Sequence, residues 1–230
     1  MTMARIFDVR IAGLTIRIHA RLALTERFFA DYIVHEEIEP DFCIYLPEGF
    51  IGDETEEELE LHRALARQLS LFDRLLMHGA AIEYGGNGYL FIAPSGTGKS
   101  THIRLWRRTL GERVGIVNGD KPILHVDQKE ILVCGTPWAG KEGWQRNVSV
   151  PLKGICLVKR GKNAIRRVEF TAYAEEVLRQ VYIPEDGDLR IRTIDLLGQV
   201  LTHVPLYELS CDMTEEAVQI AFEGLTGETY

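Results

Sequence analysis

Leu90-Phe91-Ile92-Ala93-Pro94-Ser95-Gly96-Thr97-Gly98-Lys99-Ser100-Thr101 carries more chemistry than any other stretch of this chain. A short apolar run of strand type leads into a glycine-bearing loop, and a helix opens at the Lys-Ser-Thr triplet. Gly96 and Gly98 let the backbone turn its amide N–H groups inward toward an anion. The helix that begins near Lys99 adds unpaired donors and the positive end of its dipole. Lys99 is long enough to reach β- and γ-phosphate oxygens, and the Ser100 hydroxyl is a ligand for Mg²⁺. This is the pattern of a phosphate-binding loop (P-loop), with Ala93 standing where its first glycine belongs. The expected nucleotide-binding residues are Ser95, Gly96, Thr97, Gly98, Lys99, Ser100 and Thr101, with ATP and Mg²⁺ as the ligands. The bland alternative is a glycine-rich turn that merely joins a strand to a helix.

Around this stretch, 230 residues are enough for one substantial α/β core with a small appended subdomain. A composition of 46% hydrophobic and 26% charged residues is that of an ordinary globule. The net charge of -8 argues against a nucleic-acid partner, which needs a clustered basic surface. Arg5, Asp8 and Arg10 interrupt any apolar signal core, and no apolar run is long enough to cross a bilayer. Cys43, Cys134, Cys156 and Cys211 form no C-x-x-C pair and sit among apolar neighbours, which predicts buried free thiols. A cytoplasmic protein without a membrane partner is expected; association with further copies of itself is left open.

In chain order, two β-rich runs flank Ala12-Gly13 as a hairpin, and Phe42–Leu46 adds a strand. A helix is predicted from Thr55, its N-cap, to Leu76, with its leucines facing the sheet that follows. Residues 77–84 and 89–92 form a second hairpin about Gly85–Gly88, and Thr101–Leu110 a helix stopped by Gly111. Strands follow over 113–118, 123–126 and 131–134. The span 135–151 has no periodicity and reads as a functional loop, given its tryptophans and charges. Strands at 152–159, 165–170 and 205–210 alternate with helices at 172–182, 188–202 and 214–224, the last capped by Thr214. The expected partition is a small β-rich region over 1–54 and a P-loop domain over 55–230.

Asp120 is the second anchor, at the end of the strand after the loop helix, where strand ends line the ligand crevice of α/β sheets. A carboxylate there binds Mg²⁺ or accepts a proton from an attacking hydroxyl, or else it is an exposed turn aspartate. The set Met77-His78-Gly79, the hairpin into Ser95–Ser100, and Asp120 on the next strand resembles the catalytic domain of HPr kinase/phosphorylase. That fold is shared with ATP-dependent phosphoenolpyruvate carboxykinase. More narrowly, Ala93–His102, Asn118-Gly119-Asp120-Lys121-Pro122 and Gly135-Thr136-Pro137-Trp138 resemble a group of small bacterial HPr-kinase-like proteins. The resemblance implies an α/β P-loop domain with a mixed sheet, flanking helices and a small N-terminal β subdomain. It also implies a place for His78 near the transferred phosphate. Two departures stand out: Gly119 replaces the first of the family's two aspartates, and its C-terminal signature for phosphoserine hydrolysis has no counterpart.

His78 is suited to orienting a hydroxyl or carrying a proton, or is a satisfied core histidine. Lys141 and Arg146 are cationic candidates for charge on the γ-phosphoryl group, or solvated loop charges. Glu142 is a conceivable substitute carboxylate, and Trp138 and Trp144 stack a base, close a lid or form a loop core. The expected activity is ATP- and Mg²⁺-dependent phosphorylation of a hydroxyl on a small molecule or peptide, with Asp120, His78, Lys99 and Arg146 at the catalytic centre. Two alternatives are a protein serine kinase of HPr type and a non-catalytic nucleotide sensor.

Overall fold

The alternation around Ala12-Gly13 folds as a hairpin: β1 (Arg5–Ile11) pairs antiparallel with β2 (Leu14–Ala20), and Ile11 faces Leu14. The computed structural model describes residues 5–230. Helix α1 (Ala23–Phe28), β3 (Ile33–Val34) and β4 (Phe42–Tyr45) follow, giving a four-stranded sheet in the order β3-β1-β2-β4 with β4 parallel to β2.

Helix α2 (Glu54–Gln68) starts two residues earlier than a Thr55 N-cap implies. Asp53 is the N-cap, and its side chain and that of Glu56 each accept from the other's backbone N–H, a reciprocal capping box. The helix also stops short of Leu76. Residues 69–72 tighten into a 3₁₀ turn, and Asp73 then takes a left-handed conformation (φ 60°) that a right-handed helix cannot continue through. Leu75 and Leu76 are strand residues instead, in β5 (Arg74–Leu76). The leucine stripe of α2 faces more than the sheet that follows. Leu61, Leu65 and Leu69 in fact share one core with Ile16 and Ile18 of the first sheet and with Leu76, Ile123 and Cys134 beyond it.

The second sheet is built from β5, β6 (Ala80–Tyr84), β7 (Asn87–Ile92) and, after helix α3 (Lys99–Leu110), β8 (Val114–Asn118), β9 (Ile123–Val126) and β10 (Ile131–Cys134). The long β11 (Ser149–Arg160), β12 (Ala164–Val168), helices α4 (Ala174–Leu178) and α5 (Gly187–His203), β13 (Leu206–Cys211) and helix α6 (Glu215–Thr226) complete it. The order is β5-β9-β10-β11-β7-β6-β8, with β13 beside β11 and β12 beside β13. β11 begins inside the span expected to be irregular. Its first three residues pair antiparallel with β10, and later ones run parallel to β7 and β13. α4 is shorter than expected. Thr214 holds the N-cap position of α6 without capping it, because its hydroxyl donates to Asp212 at 2.6 Å.

Successive β7 residues serve opposite faces. Tyr89 and Phe91 pack with Ile103, Trp106 and Phe222 of α3 and α6; Leu90 and Ile92 pack with Val177, Leu196 and Val200 of α4 and α5. A strand covered on both sides needs no polar positions, which is why 89–92 reads as an unbroken apolar run. The fold is α/β, with mixed sheets and flanking helices. Cys134, Cys156 and Cys211 are buried free thiols, whereas Cys43 is only partly buried. Among the described residues no helix is long and apolar enough to cross a membrane.

Strand direction sets up the site. β6 is antiparallel to both β7 and β8, so β7 and β8 point the same way, and β11 and β13 run parallel to β7. Four strands therefore end on one edge, at Ala93, Gly119, Gly161 and Asp212, and β6 begins there.

Candidate functional site at the strand ends

Between the ends of β7 and β8, β6 carries His78 at its approach. Backbone bonds fix this entry: His78 N–H donates to Gln180 O at 2.7 Å, and Gly79 N–H to Asp120 O at 2.9 Å. The imidazole Nε2 lies 3.2 Å from Lys99 Nζ and 3.5 Å from Asp120 Oδ1, so one ring nitrogen brings the three predicted residues together. An ammonium only donates, so Nε2 accepts, and the ring proton sits on Nδ1, 2.8 Å from Gln180 Oε1. Burial, with the charges of Lys99 and Lys121, holds the His78 pKa below its ordinary value against the pull of Gln180 and Asp120. The ring is therefore neutral near pH 7.

Lys99 is 7% exposed, and its ammonium also donates to Ala93 O at 2.7 Å. Burial lowers its pKa; Asp120 opposes this and Lys121 adds to it. Asp120 stands on a turn built by Asn118, which is fully buried. The Asn118 Oδ1 accepts from the N–H groups of Asp120 (2.8 Å) and Lys121 (2.7 Å), and its Nδ2 donates to Thr136 O (2.9 Å) and Oγ1 (3.1 Å). The Asp120 oxygens sit 3.5 Å from His78 Nε2 and 3.6 Å from Lys121 Nζ, beyond ordinary hydrogen-bond length, so neither is saturated by the protein.

The loop after β7 has Gly96 at φ 78° and Gly98 at φ 123°, conformations suited to glycine, with open space where a Cβ would stand. Among the described residues the N–H groups of Gly98, Lys99 and Ser100 find no acceptor, while Arg160 at the end of β11 holds the carbonyls of Gly96 and Thr97. Its Nε donates to Thr97 O at 3.1 Å and its Nη2 to Gly96 O at 2.6 Å. Beside the loop lies a cleft of about 420 Å³ bounded by Gly96–Gly98, Thr101, Arg160, Asp212 and Met213. The chain matches no protein-family model and no curated protein. The site brings together a turn of amides without acceptors, a buried lysine, and a carboxylate with spare lone pairs across a neutral imidazole. Hydroxyl and carboxylate oxygens, as Ser100 and Asp120 supply, are the donor set of a hard divalent cation.

Arg146 is not part of this group. Its Nη2 pairs with Glu83 at 2.6 Å and its Nε donates to Ile116 O at 2.9 Å. Glu83 faces Gly88 at the start of β7, four residues and roughly 13 Å of strand from Ile92. An acidic partner on β6 and a strand-edge carbonyl outcompete any role at the strand ends. Lys141 is exposed, and Glu142 pairs with Arg104 at 2.7 Å. Arg104 also lies over the Trp144 ring, and Trp138 packs on Phe28, Phe29 and His62. Gly119 has a steric reason: a Cβ there would stand 2.9 Å from Ala139 O, a backbone atom of the neighbouring loop. Gln180 and Arg160 carry no local signal in the sequence; Asn118 stands in the Asn-Gly-Asp turn string, where its bracing role was not assigned.

Proposed function

We propose that the chain is an ATP- and Mg²⁺-dependent kinase that transfers the γ-phosphoryl group to a hydroxyl of a small molecule or peptide. The observation that supports this most is the meeting of Lys99, His78 and Asp120 at one imidazole nitrogen beside the unpaired amides of the 95–100 loop. In this reading the fold is a P-loop domain of the HPr kinase type. The amides of Gly98, Lys99 and Ser100 and the Lys99 ammonium hold the β- and γ-phosphates. The nucleoside lies in the cleft beside Thr101 and Arg160. Mg²⁺, held by the Ser100 hydroxyl and Asp120, would neutralise charge on the phosphate oxygens. Once Lys99 turns to phosphate, His78 Nε2 is free to accept from the acceptor hydroxyl and aim it at the γ-phosphorus before its proton passes to Asp120, 3.5 Å from the same nitrogen. The hydroxyl oxygen bonds to the γ-phosphorus, the bond to the bridging β-oxygen breaks, and ADP leaves with that electron pair. Asp120, the carboxylate of the group, takes the hydroxyl proton.

A nucleotide sensor is the second reading, favoured by the Ala139 carbonyl that fills the space a carboxylate at 119 would need. Labelled ATP offered with a panel of hydroxyl compounds and serine peptides, beside an ATP-only control, separates the two. Lys99→Met should weaken Mg·ATP binding by about 10- to 100-fold, the worth of a charged hydrogen bond. Asp120→Asn should keep most binding and lose roughly 10²- to 10⁴-fold in transfer. Unchanged ATP affinity in Lys99→Met would remove the nucleotide reading; wild-type binding without transfer to any acceptor would leave the sensor.

A further inference from the structure

The backbone of Lys121 is held on both sides. Its backbone N–H donates to Asn118 Oδ1 at 2.7 Å, its carbonyl accepts from Thr136 Oγ1 at 2.7 Å, and Pro122 follows with a fixed φ. What remains free is the side chain, 30% exposed, whose ammonium lies 3.6 Å from Asp120 Oδ2. The other oxygen of that carboxylate faces His78, which in turn touches Lys99. Two ammonium groups therefore flank one carboxylate and one neutral ring, leaving an uncompensated positive charge where the four strands end. Transfer of a phosphoryl group is catalysed mainly by cations placed on its oxygens. The two cations that the sequence offered for this are elsewhere: Arg146 is tied to Glu83, and Lys141 is an exposed loop residue.

We propose that Lys121 is a second phosphate-contacting cation: with nucleoside triphosphate bound, its ammonium leaves Asp120 and takes a γ-phosphoryl oxygen. Asp120 is thereby freed for its own work. The proposal rests on the nucleotide reading above but assigns a residue that the loop motif does not contain. A contact to the γ-phosphoryl alone makes a distinctive demand, because the diphosphate lacks the atom it needs. Lys121 should thus set the preference for triphosphate over diphosphate, whereas Lys99 serves both.

Calorimetric titration with Mg·AMP-PNP and Mg·ADP tests this on wild type, Lys121→Met and Lys121→Arg. Lys121→Met should lose about tenfold or more in AMP-PNP affinity, the worth of one charge-assisted bond, and stay within about twofold for ADP. Lys121→Arg should restore most of the triphosphate preference. Lys121→Gln repeats the comparison if the methionine protein is unstable. Equal losses for both nucleotides, or no loss for either, would overturn the role while leaving the loop reading intact. A wild type that binds neither nucleotide would overturn both.

Discussion

His102, one turn into α3, packs against Phe91, and its Nε2 accepts from Trp106 Nε1 at 2.9 Å. Burial holds its pKa down to about 4, against about 6.5 in an unfolded chain. Between those values the unfolded chain binds the extra proton, so stability rises with pH across the window. The neutral ring's contribution is complete above pH 6.5 and is lost as the pH falls toward 4, a loss of about 3 kcal/mol for a shift of this size. His62, half-buried against Trp138, is also held to about 4, mainly by desolvation and then by Lys121, and adds in the same direction. Urea unfolding at pH 7 and 4.5 should show wild type losing more stability than His102→Gln, whose amide oxygen can still accept from Trp106. Parallel losses in the two proteins would contradict this account. The strand, turn and helix start of the Lys99 stretch could be read directly, because they lie within twelve consecutive residues. Asn118 could not, because half of its partners belong to Thr136, and Gln180 reaches His78 across 102 positions.

Elements show the same division between local and distant causes. The hairpin of β6 and β7 and the strand–loop–helix unit were visible as apolar runs cut by glycines. The early end of α2 was not, because leucines at helical spacing continue past Asp73 and only pairing with β9 makes Leu75 and Leu76 strand residues. Nor was it visible that β6 separates β7 from β8, so that Asp120 meets Lys99 through His78 and not by direct strand pairing. Arg160 is the reach of β11 into the 93–98 loop. Its bonds are exposed, so Arg160→Met should cost less than about 1 kcal/mol of global stability. Hydrogen exchange at the Thr97 amide, which donates to Pro94 O at 3.3 Å, should nonetheless speed up, and AMP-PNP affinity should fall several-fold. Unchanged exchange there would mean that the loop keeps its shape without the guanidinium.

The two sheets act together through the 135–148 segment. Tyr32 donates to Gln145 Oε1 at 2.6 Å, Gln145 Nε2 to Asp31 at 3.0 Å, and Trp138 Nε1 to Glu58 O at 3.2 Å. The same segment passes over the turn that bears Asp120, where Gly140 approaches the carboxylate's own Cβ. The first sheet thus supports the wall behind the site, and its core runs on into Leu76, Ile123 and Cys134. Both sheets should unfold in one transition, and Trp138→Ala should lower that stability by about 3 kcal/mol. Tryptophan fluorescence and circular dichroism that report separate midpoints would refute this coupling. The crowding at Gly119 has a consequence for descent. An aspartate at 119 collides with Ala139 O until the loop is rebuilt, and rebuilding the loop first strips the wall from Asp120. A second carboxylate beside Asp120 therefore cannot come from one substitution at 119 alone: the Ala139 loop has to change with it.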